Sequence, residues 1–552
     1  MITKVHIKGY KKLKDFTFEP RAGMNILVGA NDSGKTTVLE AMGLCLNGRI
    51  NNQSAYEALS PYWFNLENVE KLFKGLQYNR TIILEDLPTI RIDVHLNVPK
   101  GALQELRGVN NMLKEDSPGI SFVAVPDEDY SEEIKAYFSQ DDIPQIIPVE
   151  YYSIQRFSFS GGSLSKTPKG LGVTSIDSLS YYSSRGLDYY TKQILEEKLN
   201  YGERSSISLE YRKARHGITK SVLEGINVKI REDARQNNST RGVIGIQVNE
   251  SKTSSWDSAI IPSIDGMPFS MAGQGSQIVA KTRLSLLGSD ELVKFIFLEE
   301  PENHLSHTRL RELLDIIESL AGNRQVFITT HSPFVLNRLG LDGLILLSDG
   351  RSTKFNSLSE DTILYYKKIS GFDTLRLVLA DKIIIVEGPS DEILFNRMFG
   401  DQTGKTPESL GIDVMSIGGT SFARCFELAS KMNRQLYALR DNDGESSDYW
   451  TDKIDNFLDG KKRKMYIGDP KDGVTLEDQV YKSNRMLLEG YSPEEMKKAK
   501  TVTAIKIASM NVDKSDKLTP PEYIMKAIHD LAHMYCVENG EDCNLCEDGK
   551  NA

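Results

Sequence analysis

The sequence predicts an α/β protein built on largely parallel sheets, and three observations carry that prediction. Continuous apolar runs rich in β-branched or aromatic residues recur at Asn25-Ile26-Leu27-Val28, Phe295-Ile296-Phe297-Leu298, Ile383-Ile384-Ile385-Val386 and Leu436-Tyr437-Ala438-Leu439. Each ends abruptly in glycine or charged residues, the pattern of a strand buried on both faces whose carboxyl end opens on a ligand site. Segments with helical spacing follow, such as Val38, Leu39, Met42 and Leu46. The chain has 552 residues, too many for a single core, so two to four domains are expected.

Composition narrows the class. A hydrophobic content of 39% and a charged content of 26% describe an ordinary globular protein. No apolar stretch approaches a membrane span, and the amino end alternates like a strand where a signal peptide would carry an apolar core. Five scattered cysteines argue against a disulfide framework, so a cytoplasmic protein is expected. The formal net charge of −10 excludes a uniformly basic chain but says little about local patches. Two basic clusters stand out, Arg212-Lys213-Ala214-Arg215-His216 and Lys461-Lys462-Arg463-Lys464. Each is either a solvated face or a phosphate-binding patch, and the second has the better position for phosphate.

Taken in order, Val5, Ile7, Leu13, Phe16 and Phe18 alternate, and three short strands fit residues 1–28. The third runs into Gly29-Ala30-Asn31-Asp32-Ser33-Gly34-Lys35-Thr36-Thr37, a G-x-x-x-x-G-K-[ST] loop between strand and helix. Its glycines let backbone N–H groups approach phosphates, Lys35 reaches the outer phosphates, and Thr36 can ligate Mg²⁺. ATP with Mg²⁺ is the expected ligand. Further strands are expected at Thr81-Ile82-Ile83-Leu84 and Ile90-Arg91-Ile92-Asp93-Val94, with no evident chemistry. Gln155 is either a surface glutamine or a contact to the metal of the nucleotide.

From Ser178 to Arg235 the pattern turns helical and charged, with Leu187, Tyr190, Ile194, Leu195, Leu199, Leu209, Val222, Leu223 and Ile226 as apolar positions. These helices either pack on their own chain or pair with a second copy. Strands are expected to resume at Val243-Ile244-Gly245-Ile246-Gln247-Val248. The run Ala272-Gly273-Gln274-Gly275-Ser276-Gln277 then opens a helix and either binds an anion or simply caps it. Two strands follow, one ending in Glu299-Glu300-Pro301-Glu302 and one in Thr329-Thr330-His331-Ser332.

With these motifs in order, residues 1–345 resemble the ABC-type ATPase fold of the RecF and SMC proteins. The resemblance implies that Gly29, Asn31, Gly34, Lys35, Thr36 and Thr37 cradle the nucleotide. Glu299 would hold Mg²⁺, Glu300 would position the attacking water, Gly273 and Gly275 would form the signature loop, and His331 would contact the γ-phosphate. In that fold the signature loop acts on the nucleotide of a second protomer, which implies a homodimer. A second interface through the helical stretch would make a homotetramer. Two departures stand out: Glu299 occupies a position where Asp is usual, and the signature reads Ala-Gly-Gln-Gly-Ser-Gln. Both bear on hydrolysis more than on binding.

The last third carries a second chemistry. Ile383-Ile384-Ile385-Val386 ends in Glu387-Gly388-Pro389-Ser390-Asp391, and Leu436-Tyr437-Ala438-Leu439 ends in Arg440-Asp441-Asn442-Asp443-Gly444. The second alone reads as a polar turn. Several carboxylates at adjacent strand ends repel one another unless protons or a cation neutralise them, and hard oxygen ligands suit Mg²⁺ or Mn²⁺. A strand-Glu-Gly followed by a strand-Asp-x-Asp resembles the Toprim domain of topoisomerases, primases and a group of nucleases, with a Rossmann-like sheet.

An ABC-type ATPase followed by a Toprim domain resembles the OLD (overcoming lysogenization defect) nuclease family, which includes the Gabija nuclease subunit. The resemblance implies domains at 1–177 and 236–375 for the two parts of the ATPase, 178–235 for the insertion and 376–552 for Toprim and tail. Glu387, Asp391, Asp441, Asp443 and Glu477 would hold two divalent cations, and Lys500, or failing it Lys506, would steady the developing charge. It implies a DNA endonuclease acting in antiphage defence, with accessory helicase or reverse-transcriptase partners as an option. The alternatives are a DNA-binding clamp with a silent Toprim module, and a topoisomerase or primase, which needs a tyrosine nucleophile or polymerising site beside the metals. His533, Cys536, Cys543 and Cys546 either hold Zn²⁺ or stay as free thiols.

Overall fold

The computed structural model describes residues 1–50, 53–78, 82–98, 103–140, 143–177, 198–236, 245–248, 263–287, 294–303, 305–340, 342–348, 350–354, 357–368, 376–380, 382–418, 422–510 and 517–539. Contacts divide the chain into two compact units, Met1–Ile26 with Thr36–Thr330 and Leu27–Lys35 with His331–Ala552. The strand Met24–Gly29 belongs to both.

The first unit opens with the expected alternation. Ile2–Tyr10 pairs antiparallel with Leu13–Phe18 on one side and Ile90–Leu96 on the other, and Ser117–Pro126 and Tyr152–Ser158 extend the sheet. Val5, Ile7, Ile92 and Phe122 are fully buried in it, as period-2 patterning requires. A second, parallel arrangement pairs Val173–Asp177 with Phe295–Glu299, and that strand with Gln325–Thr329. The helix Lys35–Asn47 follows the glycine-rich loop as its spacing predicts.

Among the described residues, two expected strands do not form. Thr81 lies outside the described residues, and Leu84–Asp86 forms a 3₁₀ turn closed by the Asp86 carboxylate accepting from the Ile83 N–H. The local side-chain bond takes the donor that a ladder would need. Val243 and Ile244 also lie outside the described residues. Ile246 is held on both backbone groups by one side chain, Asn227, which accepts from its N–H (2.7 Å) and donates to its carbonyl (2.9 Å). The apolar stretch is thus pinned to a helix instead of a strand.

That helix belongs to the insertion. Tyr201–Ile218 and Glu224–Gln236 are joined through a π-turn at Thr219–Leu223. Leu209, Ile218, Val222 and Ile226 are exposed along them. The apolar positions Leu187, Tyr190, Ile194 and Leu195 lie outside the described residues.

In the second unit, Leu344–Ser348 and Arg351–Lys354 form an antiparallel pair. The main sheet of this unit is fully parallel in the order Ile412–Ser416, Lys382–Val386, Gln435–Arg440, Arg463–Ile467. Ile384, Val386, Tyr437 and Leu439 pack with Phe395 and Phe399 of the helix Pro389–Thr403 and with Ile524, Ile528 and Leu531 of the helix Glu522–Asn539. Burying both faces explains why these strands read as unbroken apolar runs.

Candidate active site

The two central strands of the parallel sheet are direct neighbours, with Ile384 opposite Tyr437 and Ile385 opposite Ala438. Carried two residues further, that register sets Glu387 level with Arg440, and the carboxylates after each strand fall at one sheet edge. Pro389 opens the helix Pro389–Thr403 at its first position, where a missing N–H costs nothing. Asp391 then accepts from the Gly388 N–H at 2.9 Å and closes the helix start.

The Asp-Asn-Asp turn is braced through its middle residue. Asn442 is fully buried, accepts from the Gly444 N–H (2.8 Å) and donates to the Gly473 carbonyl (2.7 Å). Trp450 donates its indole N–H to the Asn442 carbonyl at 3.0 Å. Asp443 takes a left-handed backbone, φ 53°, which turns the chain sharply after the strand. Asp441 accepts from the Leu476 N–H at 3.0 Å, which ties the turn to the helix Leu476–Ser483 carrying Glu477.

The electrostatics follow from burial. Desolvation pushes the Asp441 carboxyl up to about 8, with Asp391, Glu387 and Glu477 adding to it and the Leu476 N–H opposing. Burial likewise raises Glu387 to about 7, with Arg440 opposing and Asp443 and Asp391 adding. Asp391 rises to about 6, chiefly through burial, while the Gly388 N–H holds it back. Burial alone would lower the Lys500 ammonium, but Glu477, Asp441 and Asp391 outweigh it and hold it above its usual value. Lys500 Nζ lies 3.2 Å from Glu477 Oε1.

This set fits a hard cation. Both Glu477 oxygens and Glu387 Oε1 are buried and accept no hydrogen bond among the described residues, the Lys500 contact being an ion pair. Carboxylates held partly protonated near neutrality are ready to exchange protons for a metal. Among the described residues no three His, Cys, Asp or Glu side chains are arranged as they stand to hold a metal ion. Within the set, Asp391 is engaged by Gly388, Asp441 by Leu476 and Asp443 by Arg440.

Sequence reasoning missed Arg440 and Tyr523. Arg440 donates to Asp443 Oδ2 at 3.1 Å and lies 3.7 Å from Glu387. Its guanidinium sits 3.5 Å from the centroid of Trp450. Tyr523 is buried, and its hydroxyl is held well above the ordinary range by burial and by all four of Asp441, Asp391, Glu387 and Glu477. A phenol so placed stays protonated and is a poor nucleophile. Lys500 and Lys506 are both exposed on the same helix, but it is Lys500 that pairs with Glu477.

In the basic cluster at Lys461–Lys464, Lys461 and Lys462 are exposed and the other two residues are paired. Lys464 is paired with Asp530 at 2.5 Å and Arg463 with Asp459 at 2.5 Å, so half of its charge is spent internally. The Arg212–His216 cluster is exposed on its helix except for half-buried Arg215, with Lys213 paired to Glu210. Cys543 and Cys546 lie outside the described residues, and Cys536 is half-buried near the end of the helix Glu522–Asn539.

The nucleotide motifs are formed as well. A side chain at Gly29 would strike Ser33 Oγ at 2.4 Å and the Leu347 carbonyl at 2.5 Å, so only glycine fits. Gly34 has φ 93°, and Lys35 Nζ donates to the carbonyls of Gly29 and Ala30, each at 3.0 Å. Asn31 is exposed at the tip of the loop, and Thr37 is buried behind it. In the first unit the Thr36 hydroxyl donates to Glu299, uniting the two residues expected at the magnesium. Glu300 has the strained φ of 41°, anchored by its N–H to Thr329, while its carboxylate accepts from Asn303 at 2.7 Å. Glu302 instead accepts from Thr330 at 2.8 Å. Gly273 is exposed and Gly275 half-buried at the start of the helix Gln274–Leu287, and His331 is half-buried just beyond Gln325–Thr329. Gln155 is exposed on its strand, as a surface glutamine would be.

Comparison with known proteins adds the family. A family described as "AAA domain, putative AbiEii toxin, Type IV TA system" matches residues 24–337. One described as "Overcoming lysogenization defect protein-like, TOPRIM domain" matches residues 378–443. No curated protein matches the chain. Among solved structures, an SMC head bound to the C-terminal winged-helix domain of ScpA is 13% identical, covers 64% of this chain and 99% of its own, and has a TM-score of 0.27. The SMC head domain from Thermotoga maritima is 11% identical over 64% of this chain and 97% of its own, with a TM-score of 0.26. ATP-bound RecF is 14% identical over 64% and 97%, with a TM-score of 0.31. No helix among the described residues is long and apolar enough to cross a membrane. The match over 24–337 and the Toprim match behind it make this chain a member of that AAA-domain family and an ATPase–Toprim protein of the OLD family.

Proposed function

We propose that the chain is an ATP-binding, divalent-metal-dependent DNA endonuclease whose cleavage site is the acidic edge of the parallel sheet. The observation that carries this reading is the convergence of buried Asp441 and Glu477 with half-buried Glu387 and Asp391 at one sheet edge, faced by Lys500. A silent interaction module has no use for the raised carboxyls of Glu387, Asp391 and Asp441, since each destabilises the fold when ionised. Glu387, Asp391, Asp441, Asp443 and Glu477 would hold Mg²⁺ or Mn²⁺. Bound there, such cations supply Lewis-acid charge at the scissile phosphate and an activated water.

The chain's own residues do the rest. Lys500, half exposed at the rim, sets an ammonium where a phosphate's developing charge would arrive. The 376–552 region would form the nuclease domain and 1–177 with 236–375 the ATPase, with Thr36 and Glu299 on magnesium and Glu300 as the residue orienting water. The exposed apolar line Leu209, Ile218, Val222 and Ile226 supports a second-copy interface through the insertion. A role in antiphage defence, an accessory helicase or reverse transcriptase, and a cytoplasmic site of action belong to the same reading. Incubating supercoiled plasmid with the full chain in Mn²⁺, with and without ATP, tests it. Nicked or linear product that EDTA abolishes is expected, and intact plasmid under all conditions would refute it.

A further inference from the structure

We infer that Arg440 is a resident counter-charge of the acidic site, so that an incoming divalent cation must compete with its guanidinium for Glu387 and Asp443. This rests on the metal-binding reading above and adds a positioning residue to it. The strand register brings Arg440 level with Glu387, and the last residue of that strand therefore points its charge along the carboxylate edge. Its Nη2 donates to Asp443 Oδ2 at 3.1 Å, and its Nε lies 3.7 Å from Glu387 Oε1.

The guanidinium is held for this task. Its side chain is only 10% exposed, and its Cζ lies 3.5 Å from the Trp450 ring centroid and 5.2 Å from that of Phe422. Trp450 is fixed in turn by its hydrogen bond to Asn442, inside the Asp-Asn-Asp turn. A planar cation stacked on an aromatic face loses little freedom when it pairs, so the competition is persistent. Two consequences follow. The positive charge weakens cation affinity at the site, and any cation that draws Glu387 or Asp443 away disturbs the stack on Trp450. Of the other two tryptophans, Trp63 is buried in the first unit and Trp256 lies outside the described residues.

The test measures Mn²⁺ binding by electron paramagnetic resonance on the nucleotide-free full chain, and tryptophan emission during a Mg²⁺ titration. Arg440→Gln should bind Mn²⁺ roughly tenfold more tightly, the effect of removing one unit charge a few ångströms from a dication in a solvated site. Arg440→Lys keeps the charge and should stay within about threefold of wild type on the same ground. In the wild type, emission should change with Mg²⁺ and the change should vanish in Trp450→Phe. Arg440→Gln that folds, by its melting curve, yet binds Mn²⁺ no more tightly would overturn the inference. Should that variant fail to fold, an emission unmoved at saturating Mg²⁺ in the wild type would overturn it alone. A wild type that binds no Mn²⁺ would remove the metal-site reading and this inference together.

Discussion

Glu477 and Lys500 form an ion pair of 3.2 Å in which the carboxylate is 3% exposed and the ammonium 49% exposed. A buried acid thus holds a half-exposed cation at the mouth of the acidic site, and the lysine is oriented without being sequestered. Lys500 is the cation paired with Glu477, whose buried oxygens take no other donor among the described residues.

Lys500→Ala should lower DNA cleavage by about 10²–10³-fold, the usual loss on removing one donor to a developing oxyanion. Lys506→Ala, on the same helix, should leave the rate within about twofold on the same reasoning. Single-turnover plasmid cleavage distinguishes them. Equal losses in both variants would mean that the helix Lys500–Ala508 matters only as structure.

Stability should fall as pH rises through the neutral range when metal is withheld. In the unfolded chain these carboxyls ionise near pH 4, about their ordinary value. In the folded chain Asp391, Glu387 and Asp441 retain protons up to about 6, about 7 and about 8. The native state therefore binds more protons between those limits, and raising the pH through them costs stability in full by the top of the window. Mg²⁺ should restore the loss, so its stabilising shift in melting temperature should grow from pH 6 to pH 8 and shrink in Asp441→Asn. A shift independent of pH in melts with Mg²⁺ against EDTA would contradict this.

Much of this was open to sequence reading, and the parts that were not share a cause. The buried strands, the glycine-rich loop and the carboxylates after Val386 and Arg440 are local patterns, and local patterns survive folding. Arg440 itself was hidden because its role depends on a strand register and on Trp450 folding back ten residues later. Within the charge cluster at Lys461–Lys464, the pairing of Lys464 was not legible because its partner, Asp530, lies 66 residues on. Among the described residues of the two other expected strands, Ile83 is taken by a side-chain bond to Asp86, and Ile246 by Asn227, 19 residues away.

For the nucleotide site, Lys35→Ala should abolish ATP binding. Glu300→Gln should bind ATP and lose turnover by about 10²-fold or more, the usual share of a general base. Glu302, engaged by Thr330, should tolerate the same change. Equilibrium binding and phosphate release check the three variants. Turnover unchanged in Glu300→Gln and lost in Glu302→Gln would move the base by two residues.

Assembly is testable by mass. If the loop at Gly273–Gln277 serves the nucleotide of a second copy, light scattering should find at least twice the chain mass of 61.9 kDa with ATP and Mg²⁺, as a homodimer or homotetramer. Leu209→Asp with Val222→Asp, on the exposed face of the insertion, should lower the order of the assembly. A monomer under all conditions would remove the shared-site argument.

The central claim is that the acidic sheet edge cuts DNA, and the most direct measurement compares plasmid cleavage by wild type, Glu387→Ala and Asp441→Ala in Mn²⁺. Each variant is to be shown folded by its melt and competent for ATP. Loss of product in both variants, with ATP binding intact, is the predicted result. Undiminished cleavage by both would place the active site elsewhere.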